Sequence, residues 1–254
     1  MSDLGAVAGP GAVAELSGLI SAEIPFSAVD GPGNRYVVFL QGCQFDCLVC
    51  HNPCTIPLRP RGLDPTPVSV LAARIREAAP FLTGVTISGG EATLQSEFIV
   101  ALFTALRADP VTRGLSLLVD SNGDADPEVW ARLAPVSDGV MIDLKALDDE
   151  MHYVLTAASN VRVLAGIEQL AELGALAEVR LLLVPGLNDA DATLEATVAW
   201  LARAAPGVPI RRNLFRRHGA RPCARDLAEP DGALAAHYAQ VVPDRAPEPL
   251  ITTG

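Results

Sequence analysis

Tyr36-Val37-Val38-Phe39-Leu40 and Gly84-Val85-Thr86-Ile87-Ser88 are short, β-branched and almost wholly apolar, and Val68–Ala79 between them carries a helical pattern. A strand that is apolar on both sides belongs in a parallel sheet covered on both faces, and parallel neighbours need a crossover of that length. The unit recurs along the chain. Ser96–Leu106 precedes Leu115–Asp120, Pro127–Leu133 precedes Gly139–Lys145, Val163–Leu173 precedes Glu178–Val184, and Ala192–Ala204 precedes Pro209–Phe215. Right-handed crossovers curl such a sheet toward a barrel. The expected fold is therefore α/β, an incomplete (β/α)6 barrel of the TIM type over residues 18–220. Residues 1–17 are expected as a flexible N-terminal tail and 221–254 as a C-terminal extension packing on or beside the barrel, because no seventh unit is legible from Pro222 onward.

The unusual polar residues fall just past strand ends. Cys43 follows the first strand, Gly89-Gly90-Glu91 the second, Asp120-Ser121-Asn122 the third, Asp143 and Lys145 end the fourth, and Asn188-Asp189 follow the fifth. In a parallel barrel those ends share one rim, so residues far apart in sequence converge on one site.

The formal net charge of −11 argues against broad attraction to nucleic acid or an anionic membrane, which needs clustered cations. No stretch is long and apolar enough to span a bilayer. The opening residues, broken by Gly9, Pro10 and Gly11, do not resemble a secretory signal, so a cytoplasmic protein is expected. Four of the five cysteines crowd between Cys43 and Cys54, which makes a poor disulfide framework and a plausible metal site.

Cys43-Gln44-Phe45-Asp46-Cys47-Leu48-Val49-Cys50 puts three thiolates in one loop, the ligand type that iron–sulfur clusters require. Three ligands on four irons leave one iron open. The rival is a zinc site on Cys43, Cys47 and Cys50 with His51 or Cys54, although no second cysteine knuckle is present. Gly89 and Gly90 let a backbone approach a ligand, or they form an ordinary turn with Glu91 in a first helical turn. Asp120 can likewise be a turn cap, Arg180 can pair with Glu178, and Asp30 can belong to a Gly-Pro-Gly turn. Lys145 is the only lysine in the chain, although arginine is abundant, which suggests a site needing a compact point charge.

The spacing CxxxCxxC with Phe45 between the first two cysteines resembles the signature of radical S-adenosylmethionine (SAM) enzymes. More narrowly, Val29-Asp30-Gly31-Pro32-Gly33-Asn34-Arg35, Phe39-Leu40-Gln41-Gly42-Cys43 and Cys50-His51-Asn52-Pro53 resemble the activating enzymes of glycyl radical enzymes. The resemblance implies the radical SAM fold, a 4Fe-4S cluster on Cys43, Cys47 and Cys50, and S-adenosylmethionine chelated at the open iron. One electron then breaks a carbon–sulfur bond, and the 5′-deoxyadenosyl radical takes a hydrogen atom from a glycine of a partner enzyme. Phe45, Gly89, Gly90, Glu91, Asp120, Ser121, Asp143, Lys145 and Arg180 match positions that surround S-adenosylmethionine. Asp120, Ser121, Asp143 and the Met141 carbonyl match positions that hold a monovalent cation. Asp30 and Arg216 are the expected contacts to the partner, a glycyl radical enzyme. A low-potential electron donor such as flavodoxin or ferredoxin and an anaerobic setting are implied as well. The histidine that approaches the adenosyl group in relatives is in doubt, because Leu214-Phe215-Arg216 stands at its place, with His218 two residues later. No second cysteine cassette lies between Pro57 and Pro67, so a single cluster is expected. The alternative is a radical SAM enzyme acting on a small molecule or peptide in a biosynthetic pathway.

Overall fold

Across residues 15–244, which the computed structural model describes, a seven-stranded sheet follows the order of the chain. Its strands are β1 (Ile20–Ser27), β2 (Arg35–Leu40), β3 (Gly84–Gly89), β4 (Ser116–Ser121), β5 (Gly139–Leu144), β6 (Leu176–Leu183) and β7 (Ile210–Leu214). β1 pairs antiparallel with β2, and every later pairing is parallel. The first and last strands do not pair with each other, so the six parallel strands form an open, incomplete barrel. Residues 1–14 of the expected tail and 245–254 of the expected extension lie outside the described residues.

β2 to β5 bury most of their residues, β3 from Gly84 to Ser88, whereas β6 and β7 are half-buried over much of their length. Burial on both faces explains the continuous apolar runs of β2 to β5. The helices α1 (Val68–Ala78), α2 (Ser96–Ala108), α3 (Pro127–Leu133), α5 (Val161–Glu172) and α6 (Asp191–Ala204) cover the sheet, with α4 (Asp149–Thr156) inserted after β5. In α2 the buried Phe98, Ile99, Leu102, Phe103 and Leu106 recur at helical spacing. Each such side chain contributes about 1.5–3 kcal/mol of burial.

Three elements were not legible beforehand. β1 carries Pro25 and two register irregularities, so alternation is lost, as suits an edge strand. α4 is eight residues long, too short for a clear period. The last helix, α7 (Gly232–Val241), is Ala-rich and docks through Tyr238, whose hydroxyl donates to Asp189 Oδ2 at 2.7 Å.

α4 matters to the site because its last turn receives the cysteine loop. Asp148 caps it by accepting from Met151 N at 2.8 Å. Asp148→Ala is expected to cost about 1 kcal/mol, read as a lower urea midpoint with an unchanged slope.

The opposite end of the barrel is closed by Arg35, which is fully buried without a carboxylate in contact. Its guanidinium donates to Thr86 Oγ1, Val85 O, Pro32 O and both oxygens of Ser116. Burial pulls its pKa down to about 10, against the field of Asp138. Asp30 belongs to this end, in the β1–β2 loop: its carbonyl accepts from Thr86 Oγ1 at 2.8 Å and its carboxylate from Ser27.

Candidate active site

Beyond β2 the chain turns at Gly42, whose φ is 103°, and the loop closes where Gly42 N donates to Thr55 O and Cys43 N to Ile56 O. Asp46 N and Leu48 N donate to the carbonyls of Thr156 and Leu155. Those carbonyls lie in the last turn of α4, where a helix has no acceptors' partners of its own, so the loop completes the helix and the helix holds the loop. Phe45 is buried edge-on against His152, with ring centroids 5.6 Å apart.

The thiols of Cys43, Cys47 and Cys50 are free, partly buried, and line one cavity of ≈ 580 Å³ at the carboxyl ends of the strands. Among the described residues no three His, Cys, Asp or Glu side chains converge on a point that one metal ion could occupy. Three thiols on the cavity wall, without a fourth cysteine, are a donor set that an iron–sulfur cluster with one open iron takes. Burial pushes the Cys43 thiol up to about 12 and raises Cys47 and Cys50 as well. Thiolates therefore form here when a metal group displaces the protons. Cys54 and Cys223 are exposed and lie outside the cavity wall.

Gly89 and Gly90 also line the cavity, and their glycine identity is dictated by close backbone approach. A Cβ on Gly89 would stand 2.2 Å from Leu40 O, and one on Gly90 would stand 2.3 Å from Gly42 O. Glu91 turns away from the cavity. It is fully buried, with Oε1 accepting from Thr93 N, Thr93 Oγ1 and Ser121 Oγ, and Oε2 from Asn122 N. Its carboxylate ties the loop after β3 to the loop after β4. Burial raises its pKa, opposed by those four donors.

Asp120, Asp143 and Lys145 form the charged wall. Lys145 Nζ donates to Asp143 Oδ2 at 2.6 Å, and Asp143 Oδ1 is buried with no hydrogen-bond partner. Burial pushes Asp120 up to about 6; Arg180 opposes this and Asp143 adds to it. Burial acts upward on Asp143 too, but Lys145 and Arg180 hold it below the usual carboxylate range. For Lys145 burial opposes the charge, and Asp143 and Cys47 outweigh it, keeping the ammonium protonated.

Arg180 sits behind this wall rather than in it, donating to Glu178 Oε1 at 2.6 Å, Asp120 Oδ1 at 3.0 Å and Met141 Sδ at 2.8 Å. Its donors are committed to neighbours, so its part is to orient Asp120. Ser121 lines the cavity, yet its hydroxyl donates to Glu91 and accepts from Gly123 N. Met141 contributes no surface to the cavity. Arg216 reaches the wall while His218 is exposed and does not. Asp30 is at the far end of the barrel, so the structure does not bring it to this cavity.

Arg212 and Asn213 line the cavity without having been expected there, while His51 was expected only as a zinc ligand and Asn122 only as one of the polar residues past the third strand. Asn122 Nδ2 lies 3.9 Å from Cys43 Sγ; its place directly after Asp120 and Ser121 was a usable signal, masked by the turn that Asn-Gly normally announces. His51 lies on the β7 side of the cavity, its Nε2 bonded to Arg216 O at 2.8 Å.

Comparison with known proteins agrees with this geometry. Residues 37–198 match the family described as the Radical SAM superfamily. The chain is 37% identical over 185 residues to the pyruvate formate-lyase-activating enzyme of Streptococcus mutans, covering 71% of this chain and 70% of the relative. It is 38% identical over 170 residues to the pyruvate formate-lyase 1-activating enzyme of Escherichia coli K12, covering 64% and 66%. A solved radical SAM methyltransferase from Sphaerobacter thermophilus has the same fold, with a TM-score of 0.61 at 20% identity over 82% of this chain and 63% of that one. Among the described residues no helix is long and apolar enough to cross a membrane.

Proposed function

We propose, from the premise that the chain belongs to the radical SAM superfamily, that it is an activase that installs a glycyl radical on a partner enzyme. One observation carries this reading: three thiols and a charge set able to read an amino-acid zwitterion share one cavity, at the rim where the family signature lies. The activating enzymes among its relatives support the choice of a protein glycine as substrate.

The residues present fit the groups that the family uses. Cys43, Cys47 and Cys50 would hold a 4Fe-4S cluster. When bound, the cluster and S-adenosylmethionine supply one-electron cleavage of a carbon–sulfur bond and a 5′-deoxyadenosyl radical. Gly89 and Gly90 present main chain to the cavity where the amino-acid end of the cofactor would lie, and Lys145 offers its carboxylate a fixed ammonium. The unpartnered Asp143 Oδ1 is the acceptor in surplus; it suits an ammonium or a monovalent cation, with Asp120 on the same cavity wall. Val49, Ile56, Leu155, Leu182 and Leu214 form the apolar part of the wall, which excludes water from a reactive carbon centre. Arg216 and Arg212 at the β7 side are available to the incoming polypeptide or to a nucleoside. An external low-potential donor, of the flavodoxin or ferredoxin kind, completes the electron supply.

The test is anaerobic incubation of the iron-loaded protein with dithionite, S-adenosylmethionine and candidate partner enzymes. The expected result is 5′-deoxyadenosine formed together with a glycine-centred paramagnetic signal in one partner. Deoxyadenosine without that signal in any partner overturns the activase reading in favour of a small-molecule or peptide substrate.

A further inference from the structure

The segment after β7 folds back over the cysteine loop and is tied to it by main chain and side chain together. Arg221 N donates to Cys50 O at 3.1 Å. Arg221 Nη1 donates to Asp46 Oδ1 at 2.5 Å, to Cys47 O at 3.1 Å and to Asp46 O at 3.3 Å. One arginine thus reaches carbonyls at two of the three cysteine positions or beside them. Beneath it, Val49, Leu155, Phe215 and Ala224 belong to a small apolar cluster separate from the main core. That cluster holds the strap and the loop against each other, so the guanidinium is delivered to a defined place.

We propose that Arg221 is a positioning residue: it clasps the loop that carries Cys43, Cys47 and Cys50, and its fixed charge raises the reduction potential of the cluster they hold. A cluster with three thiolates becomes more negative on reduction, so a nearby cation favours the reduced form, and net charge and hydrogen bonding are the levers that tune such potentials. Asp46 partners Arg221 but is 62% exposed, so its opposing charge is screened by water. The pair therefore makes a signed prediction. Removing either residue breaks the same ion pair, yet removing Arg221 subtracts a positive charge beside the cluster and removing Asp46 subtracts a negative one.

The potential measurement rests on the cluster assignment above, and a second measurement does not. In the iron-loaded protein, anaerobic redox titration of Arg221→Gln is expected to lower the reduction equilibrium constant several-fold to tenfold, tenfold being about 59 mV for one electron. Asp46→Asn is expected to raise it. Shifts in the same direction, or none, overturn the electrostatic part of the proposal. In iron-free protein, Arg221→Gln is expected to speed amide hydrogen exchange at Leu48 and Cys50 several-fold, and Arg221→Lys less so. Unchanged exchange overturns the clasp. A parent protein that takes up no iron sinks the functional reading, while the exchange measurement still decides the clasp.

Discussion

Cys47→Ala is expected to abolish cluster assembly and reduce S-adenosylmethionine cleavage to background. Cys47 lies in the middle of the loop, its thiol partly buried and facing the cavity. No described thiol stands ready to replace it, since Cys54 and Cys223 are exposed and outside the cavity wall. Loss of a group that merely orients a ligand typically costs 10–100-fold in metal affinity, and loss of a ligand itself must cost more. Alanine is the informative choice because serine could still offer an oxygen. Iron analysis and deoxyadenosine release after anaerobic reconstitution provide the readouts, with Cys54→Ala as the comparison expected to retain its iron. Retained cleavage in Cys47→Ala, or zinc as the sole metal of anaerobically prepared parent protein, would falsify the cluster assignment.

Glu91→Ala is expected to lower the stability of the iron-free protein by on the order of 3 kcal/mol, which for a chain of this size corresponds to roughly 6–12 °C in Tm. The two hydroxyls, of Thr93 and Ser121, can rotate toward other acceptors; the amides of Thr93 and Asn122 cannot. Each buried N–H left without a partner costs about 1–3 kcal/mol. Glutamine is not a benign replacement. If its oxygen takes the crowded Oε1 position, its NH2 group meets the Asn122 N–H, donor against donor. Both variants should therefore melt early, and their cavity should bind S-adenosylmethionine poorly, because Glu91 is what joins the loop bearing Gly89 and Gly90 to the loop bearing Ser121 and Asn122. A wild-type melting temperature for Glu91→Ala would show that Glu91 does not brace the site.

These two positions mark different depths of legibility. Cys47 is expected as a cluster ligand from its spacing together with the family resemblance, since a thiolate's chemistry is local and the loop needs no distant chain to bring three of them together. Glu91 could be placed beside the cofactor but not described, because the direction of a side chain depends on which donors the neighbouring strand presents. Arg180 shows the same limit. Its pairing with Glu178, two residues away on one strand, was open to inspection, whereas its contacts to Met141 and Asp120 cross one and two strand pairings. Asp30 shows a further limit: resemblance matched the motif but did not say that it lies at the end of the barrel away from the cavity.

What the amino-acid order alone determined was the repeating strand–helix unit, the count of parallel strands and the crowding of three cysteines into one loop. Hydrophobic periodicity and thiol spacing are short-range properties, complete within a few residues. Tertiary packing decided the rest: which acid is left with an unsatisfied oxygen, which arginine braces and which faces the cavity, and how a strap more than 170 residues downstream clasps the Asp46–Cys50 loop. Those outcomes depend on contacts between segments remote in sequence, and no local pattern encodes the distance or direction at which such groups meet.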